Sequence, residues 1–154
     1  LPRAGLCIRL GETTAYAPEK VIGGYARPYG GPNLWSSEDL AWDPTPWVEL
    51  AWPEPVTLSE VVVILDDDVQ EDLINLHHHR TPFESLPTLL ADYSLELRNS
   101  NTAWQPIAHV TNNHHRTQHH HLETPTEATH LRLTAHRTNG APRAHVVSLR
   151  AYGA

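Results

Sequence analysis

Arginine, asparagine and histidine gather in three short stretches of this chain: His79-Arg80, Asn113-His114-His115-Arg116, and Asn139. Guanidinium and amide groups hold several donors in fixed geometry, which suits sugar hydroxyls and carboxylates. Tyr25 and Tyr29 lie in a segment punctuated by Gly and Pro and offer flat faces for a ring to stack on. Tyr25, Tyr29, His79, Arg80, Asn113, His114, Arg116 and Asn139 are therefore the candidate ligand-binding set. The same chemistry has a plainer use, in which Asn113 and Arg116 brace a loop.

Two other groups suggest a metal. On a strand, His119 and His121 share one face, and Glu123 is next in that row. Two imidazoles and a carboxylate could ligate a transition metal and support a metal-dependent enzyme. The plainer reading is a solvated histidine run in which one member points inward and is hydrogen-bonded. His77-His78-His79 would need rigid support to bind anything tightly. Asp66-Asp67-Asp68 could hold a cation, or simply open a solvated loop. No nucleophile–base pair can be argued: Cys7 has no histidine near it in sequence, and no G-x-S-x-G or phosphate loop occurs. These residues therefore imply no enzyme within this chain.

Strands must position these groups. Trp47 to Trp52 reads as one strand, Pro53-Glu54-Pro55 as a turn, and Val61 to Leu65 as a second strand buried on both faces. Further strands are expected at Leu6–Leu10, Tyr93–Arg98, Trp104–Val110, Thr117–Glu123, His130–His136 and Ala144–Tyr152. Leu131, Leu133 and Ala135 form an inner face. Gly11 to Pro32 reads as loop, and Asp66 to Ala91 as the longest connection. Short strands separated by turn signals indicate an all-β sandwich or barrel. Antiparallel strands reverse in turn, so alternate connections share an end. On that count the loops at 66–91, 112–116 and 137–143 gather at one end, and the short turns at the other.

A chain of 154 residues is long enough for one domain with a real core. Its formal charge of −7 opposes a nucleic-acid partner, which needs a basic footprint. The lone Cys7 leaves no intrachain disulfide and no cysteine-based zinc site. No apolar run is long enough to span a bilayer as a helix. The chain starts at Leu1, so it reads as a single domain, 1–154, cut from a larger protein. Its compartment is open; it would be extracellular or periplasmic if the parent is exported.

The order of segments resembles the galactose-binding-like domains: the discoidin, or coagulation factor 5/8 C-terminal, family and related carbohydrate-binding modules. The carrying residues are Val21–Gly24, Leu34–Ser37, Pro46–Leu50, Pro55–Val61, Tyr93–Glu96, Trp104–Val110, Leu131–Leu133 and Ala144–Gly153. The resemblance spans nearly the whole chain and implies a jelly-roll β-sandwich that binds carbohydrate or another polar ligand without catalysis. It aligns Trp35, Trp47 and Trp104 with framework positions, so core rather than sugar platform is expected for them. Family members often carry Asp where Gly23 stands and Glu where Ser148 stands, both at a structural calcium site. Neither Gly nor Ser supplies a carboxylate, which puts calcium in doubt and leaves the domain without an expected cofactor.

A narrower likeness rests on Leu65–Asp68, Asn113–Arg116, His119–Leu122, Leu131–Leu133 and Thr138–Gly140. These resemble a domain at the C-terminus of some bacterial FAD-dependent oxidoreductases. That implies an alternative role, a structural domain docked on its parent enzyme, with the flavin chemistry outside these residues.

Overall fold

The computed structural model describes residues 14–68, 85–100 and 102–153. Six strands carry the fold: β1 (Trp35–Asp39), β2 (Trp47–Leu65), β3 (Leu90–Arg98), β4 (Gln105–Val110), β5 (Thr117–Thr138) and β6 (Arg143–Gly153). They are hydrogen-bonded in the order β1-β6-β2-β5-β3-β4, and every pairing is antiparallel. The fold is all-β and antiparallel, as expected.

The strand count differs from the sequence expectation in one instructive way. Pro53–Pro55 does not end a strand, because β2 is continuous from Trp47 to Leu65. Likewise Thr124-Pro125-Thr126 interrupts nothing, because β5 runs from Thr117 to Thr138. The two prolines of β2 sit where the ladder skips. Ala51 pairs with His130 and Val56 with Ala128, so four residues of β2 face one of β5. The imbalance is then reversed: Leu58 pairs with Thr126 and Glu60 with His121, so one residue of β2 faces four of β5. A missing N–H costs no ladder bond at such a bulge.

These two bulges let the β2–β5 ribbon pass from one layer of the sandwich to the other, as strands do when they switch sheets. The first half of β2 and the second half of β5 extend through β3 and β4. The other halves extend through β6 to β1. Both layers bury side chains in one cluster, with Tyr93, Leu95, Leu97, Leu131 and Leu133 from the first and Val61, Val63, Leu65, Val146 and Leu149 from the second. Leu131, Leu133 and Ala135 face inward, and Val61 to Val63 and Leu65 are buried, both as expected.

Between residues 14 and 34 the chain is loop apart from one 3-10 turn, Pro18–Ile22, which proline opens and which buries Val21. The expected strand at Leu6–Leu10 lies outside the described residues. Trp35 is buried as expected of a framework residue. Trp47 is not: it is 53% exposed on the outer face, with the Arg132 guanidinium 4.5 Å above its ring. Trp47 opens its strand where only β5 flanks it, so nothing covers its outer side, and Arg132 stacks between Trp47 and Trp104 instead.

Candidate functional site

Among the described residues, the ends of the loops expected to gather together do so, and backbone hydrogen bonds tie them to one another. The Asn113 N–H donates to Ala91 O, Asn139 N–H to Leu89 O, Ala141 N–H to Pro87 O, and Leu65 N–H to Arg116 O. These connections fall at one end because the β2–β5 ribbon folds over at its bulges, which reverses its direction as a turn would.

Most of the expected binding residues are used up in holding this end together. Asn113 is 4% exposed. Its amide donates to Leu90 O at 3.0 Å and His115 O at 2.9 Å, and its carbonyl accepts from His115 N–H at 3.0 Å and from Gln118 at 2.6 Å. Every hydrogen-bonding valence of the side chain is engaged inside the protein, so none is left for a ligand. Asn139 donates to Leu89 O at 3.1 Å and Asn113 O at 3.3 Å. Arg116 donates to Ala26 O and lies 3.1 Å from Asp67. It ties the 25–33 loop to the sandwich. These three are braces, and they leave the candidate binding set. His114 is exposed and hydrogen-bonded to Ser85. His79 and Arg80 lie outside the described residues.

The two tyrosines fare differently. Tyr29 is 76% exposed, and its ring stacks on Tyr25 with centroids 6.0 Å apart and planes 18° from parallel. Asn33 holds their loop, donating to Tyr29 O at 3.0 Å. Gly30, at φ +66, takes a backbone conformation that a side chain would disfavour. Tyr29 stands at the rim of a cleft of about 500 Å³, whose other walls include Gly30, Pro32, Asp66, Asp68, Thr88 and His145.

The cleft floor follows from register. Leu65 pairs with Val146, so the next positions outward on the two strands, Asp66 and His145, are cross-strand neighbours. Their side chains meet at 2.8 Å, from His145 Nδ1 to Asp66 Oδ2. The other carboxylate oxygen, Oδ1, accepts the Asp68 N–H at 3.0 Å, and Thr88 donates to Asp66 O at 3.2 Å. Burial raises the Asp66 carboxyl, but the bonds from His145 and Asp68 and the charges of His145 and Arg116 outweigh it. It ends below the ordinary carboxylate value and is ionised at neutral pH. The Asp66–Asp68 run is therefore neither a freely solvated loop nor a joint cation cage. Asp66 anchors His145, Asp67 faces Arg116, and Asp68 lines the cleft.

Sequence reasoning missed Asp68, Thr88, His145 and Tyr16 as cleft residues. The available signal was position: Asp66 directly follows the buried run of β2, and His145 sits at the start of β6, next to the loop-rich end.

The histidine run of β5 alternates as a strand requires. His120 turns inward, half-buried, with Nε2 2.9 Å from the Tyr93 hydroxyl. Burial lowers its pKa, aided by the nearby His119, while burial pushes the Tyr93 phenol up. His119 and His121 face outward, yet the carboxylate beside them is Glu60, 2.7 Å and 3.7 Å away, and not Glu123. Glu123 falls in the four-residue bulge of β5, outside the ladder that aligns the other three. Among the described residues no three His, Cys, Asp or Glu side chains are arranged to hold a metal. The expected His119–His121–Glu123 set is not assembled.

The two positions tied to calcium do not fit it either. Gly23 offers no side chain, and Ser148 is buried with its hydroxyl accepting from Arg150 Nε at 3.1 Å. A guanidinium on the one available oxygen opposes a second cation there.

The sequence matches no family model, and no curated protein resembles it significantly. Solved structures do resemble the fold. The family 32 carbohydrate-binding module of EndoD from Streptococcus pneumoniae superposes with a TM-score of 0.70 at 17% identity, covering 96% of this chain and 91% of that one. Chitosan-binding module 2 of a chitosanase/glucanase from Paenibacillus sp. IK-5, in complex with chitotriose, gives 0.65 at 17% identity, covering 92% and 89%. The family 32 module of NanJ from C. perfringens, in complex with galactose, gives 0.59 at 14% identity, covering 87% and 82%. At such identity the likeness establishes the fold.

Proposed function

We propose that this domain is a non-catalytic carbohydrate-binding module whose ligand occupies the cleft at the loop-rich end. The observation that carries the reading is the cleft itself, where an exposed tyrosine stands over a fixed polar floor. Tyr29 supplies the apolar face that a pyranose ring stacks against. Asp66, Asp68, Thr88 and His145 supply acceptors and donors for hydroxyls. A concave site of about this size with a few convergent polar groups is the usual form of a small-ligand site. The solved structures of like fold that bind sugars lend support. Their ligands include galactose and chitotriose.

On this reading the domain delivers a separate catalytic unit to a glycan, and needs neither a transition metal nor calcium. A glycan array probed with the purified chain tests it, followed by titration of any hit against Tyr29→Ala. The expected result is binding that Tyr29→Ala weakens about tenfold with the fold intact, the value of one aromatic stacking contact. A chain that ignores every glycan yet binds a separated flavin enzyme would overturn the reading in favour of the docking role.

A further inference from the structure

We infer that Arg116 is a positioning residue for the sugar site: it touches no sugar, yet it sets affinity by fixing the loop that carries Tyr29. This role rests on the carbohydrate reading of the cleft. A stacking residue is useful only where it stands still. Tyr29 is 76% exposed, so packing holds its ring weakly, and its place follows from its backbone and from the stacked ring of Tyr25.

Two kinds of bond act on that loop. Asn33 donates to Arg27 O at 3.3 Å and to Tyr29 O at 3.0 Å, and the Tyr29 N–H donates to Gly31 O at 3.1 Å. These bonds join near neighbours, so they set the shape of the loop and not its location. Arg116 supplies the location. Its guanidinium donates to the carbonyl of Ala26, 90 positions away and next to Tyr25. A cationic donor on a backbone carbonyl makes one of the stronger hydrogen bonds a protein has.

Arg116 is itself held by the end of β2. Its carbonyl accepts the Leu65 N–H at 2.7 Å. Its Nε lies 3.1 Å from Asp67 Oδ1, a charge contact that is not an aligned hydrogen bond. Leu65 is fully buried, and Asp66, the next residue, anchors His145 in the cleft floor. Rim and floor are thus both referred to Leu65, Asp66 and Asp67. A ring that stacks on Tyr29 while it bonds to the floor meets the two at a set spacing, so less freedom is lost on binding.

The experiment is a double-mutant cycle on sugar affinity. The whole chain is titrated calorimetrically with galactose and with chitotriose as wild type, Arg116→Ala, Tyr29→Ala and the double variant. Arg116→Ala should weaken binding about tenfold, the worth of one charge-assisted hydrogen bond, and should weaken it no further once Tyr29 is replaced. Losses that multiply would put Arg116 on the sugar itself, and unchanged affinity would take it out of the site; either overturns the inference. Asp67→Asn should act in the same direction by about threefold, and it serves in place of Arg116→Ala if that variant does not fold. Chymotrypsin, which cuts after tyrosine, reads the loop without sugar. Cleavage after Tyr25 or Tyr29 should be about tenfold faster in Arg116→Ala than in the wild type, at a temperature where both are folded. Unchanged cleavage would overturn the inference whatever the titrations gave. Faster cleavage in a chain that binds no sugar at all would overturn the carbohydrate reading and leave Arg116 as the anchor of the loop alone.

Discussion

Two groups of polar residues occupy the same end of this sandwich and do opposite work. Asn113, Asn139 and Arg116 are turned into the protein, where they satisfy backbone carbonyls that the crossing loops would otherwise bury unpaired. Tyr29, Asp68 and His145 line an open cleft. The braces look more like a binding site in sequence, since Asn and Arg next to histidines suggest ligand donors. The difference teaches that residue type cannot separate a ligand contact from a loop brace. What separates them is whether the hydrogen-bonding valences are already spent.

Substitution should split the two groups cleanly. Asn113→Ala removes four internal hydrogen bonds at a buried site, so it should cost about 3 kcal/mol in urea unfolding. The folded fraction should still bind sugar with unaltered affinity, and a loss of affinity without loss of stability would return Asn113 to the site. Tyr29→Ala should do the reverse, weakening sugar binding about tenfold. Its melting temperature should hardly change, because the ring is mostly exposed.

Acid should find the join between the groups. The Asp66 carboxyl lies below its ordinary value of 3.8 in the folded chain. A depressed carboxyl stabilises the fold fully above the unfolded value, and that contribution is lost as pH falls through the lower folded value. The Asp92 carboxyl is lowered in the same direction, first by the hydrogen bond from Arg137 and then by the Asn112 N–H. Stability should therefore fall as the pH drops below about 3.8. Asp66→Asn should make that fall shallower, which denaturation at a series of pH values would read. An identical slope in the variant would mean that the His145 pair contributes nothing to the fold. The smallest effect expected is from chelation: EDTA should leave the melting temperature unchanged, since the Ser148 hydroxyl already faces Arg150. A drop of several degrees would reveal a bound divalent ion.

Most of the fold was legible because its period is legible. Leu131, Leu133 and Ala135 alternate with polar residues, and Val61 to Leu65 runs unbroken. The strand ends at Pro53–Pro55 and Thr124–Thr126 were misread for a physical reason. Proline and threonine mark turns locally, but a long ribbon can place them in a bulge, where no ladder bond is owed. The site was legible only in part. Tyr29 stood out because Gly and Pro around it forbid burial in a strand. Asp66 and His145 are 79 positions apart, and only the register Leu65 to Val146 brings them together. That register is set by the pairing of whole strands and leaves no local mark.

The doubled-over ribbon also sets the order in which the chain can find its shape. Leu65 and Thr117 flank everything that must be looped out before β2 and β5 can zip together, and β6 and β3 are then added to the two sides of that pair. Little is gained until this distant closure has been made. Folding should therefore be slow for a domain of this size, on the order of milliseconds to seconds, as for other sandwiches dominated by non-local pairing. The closure is a kinetic checkpoint: until it is passed, Asp66 and His145 are strangers and the cleft does not exist.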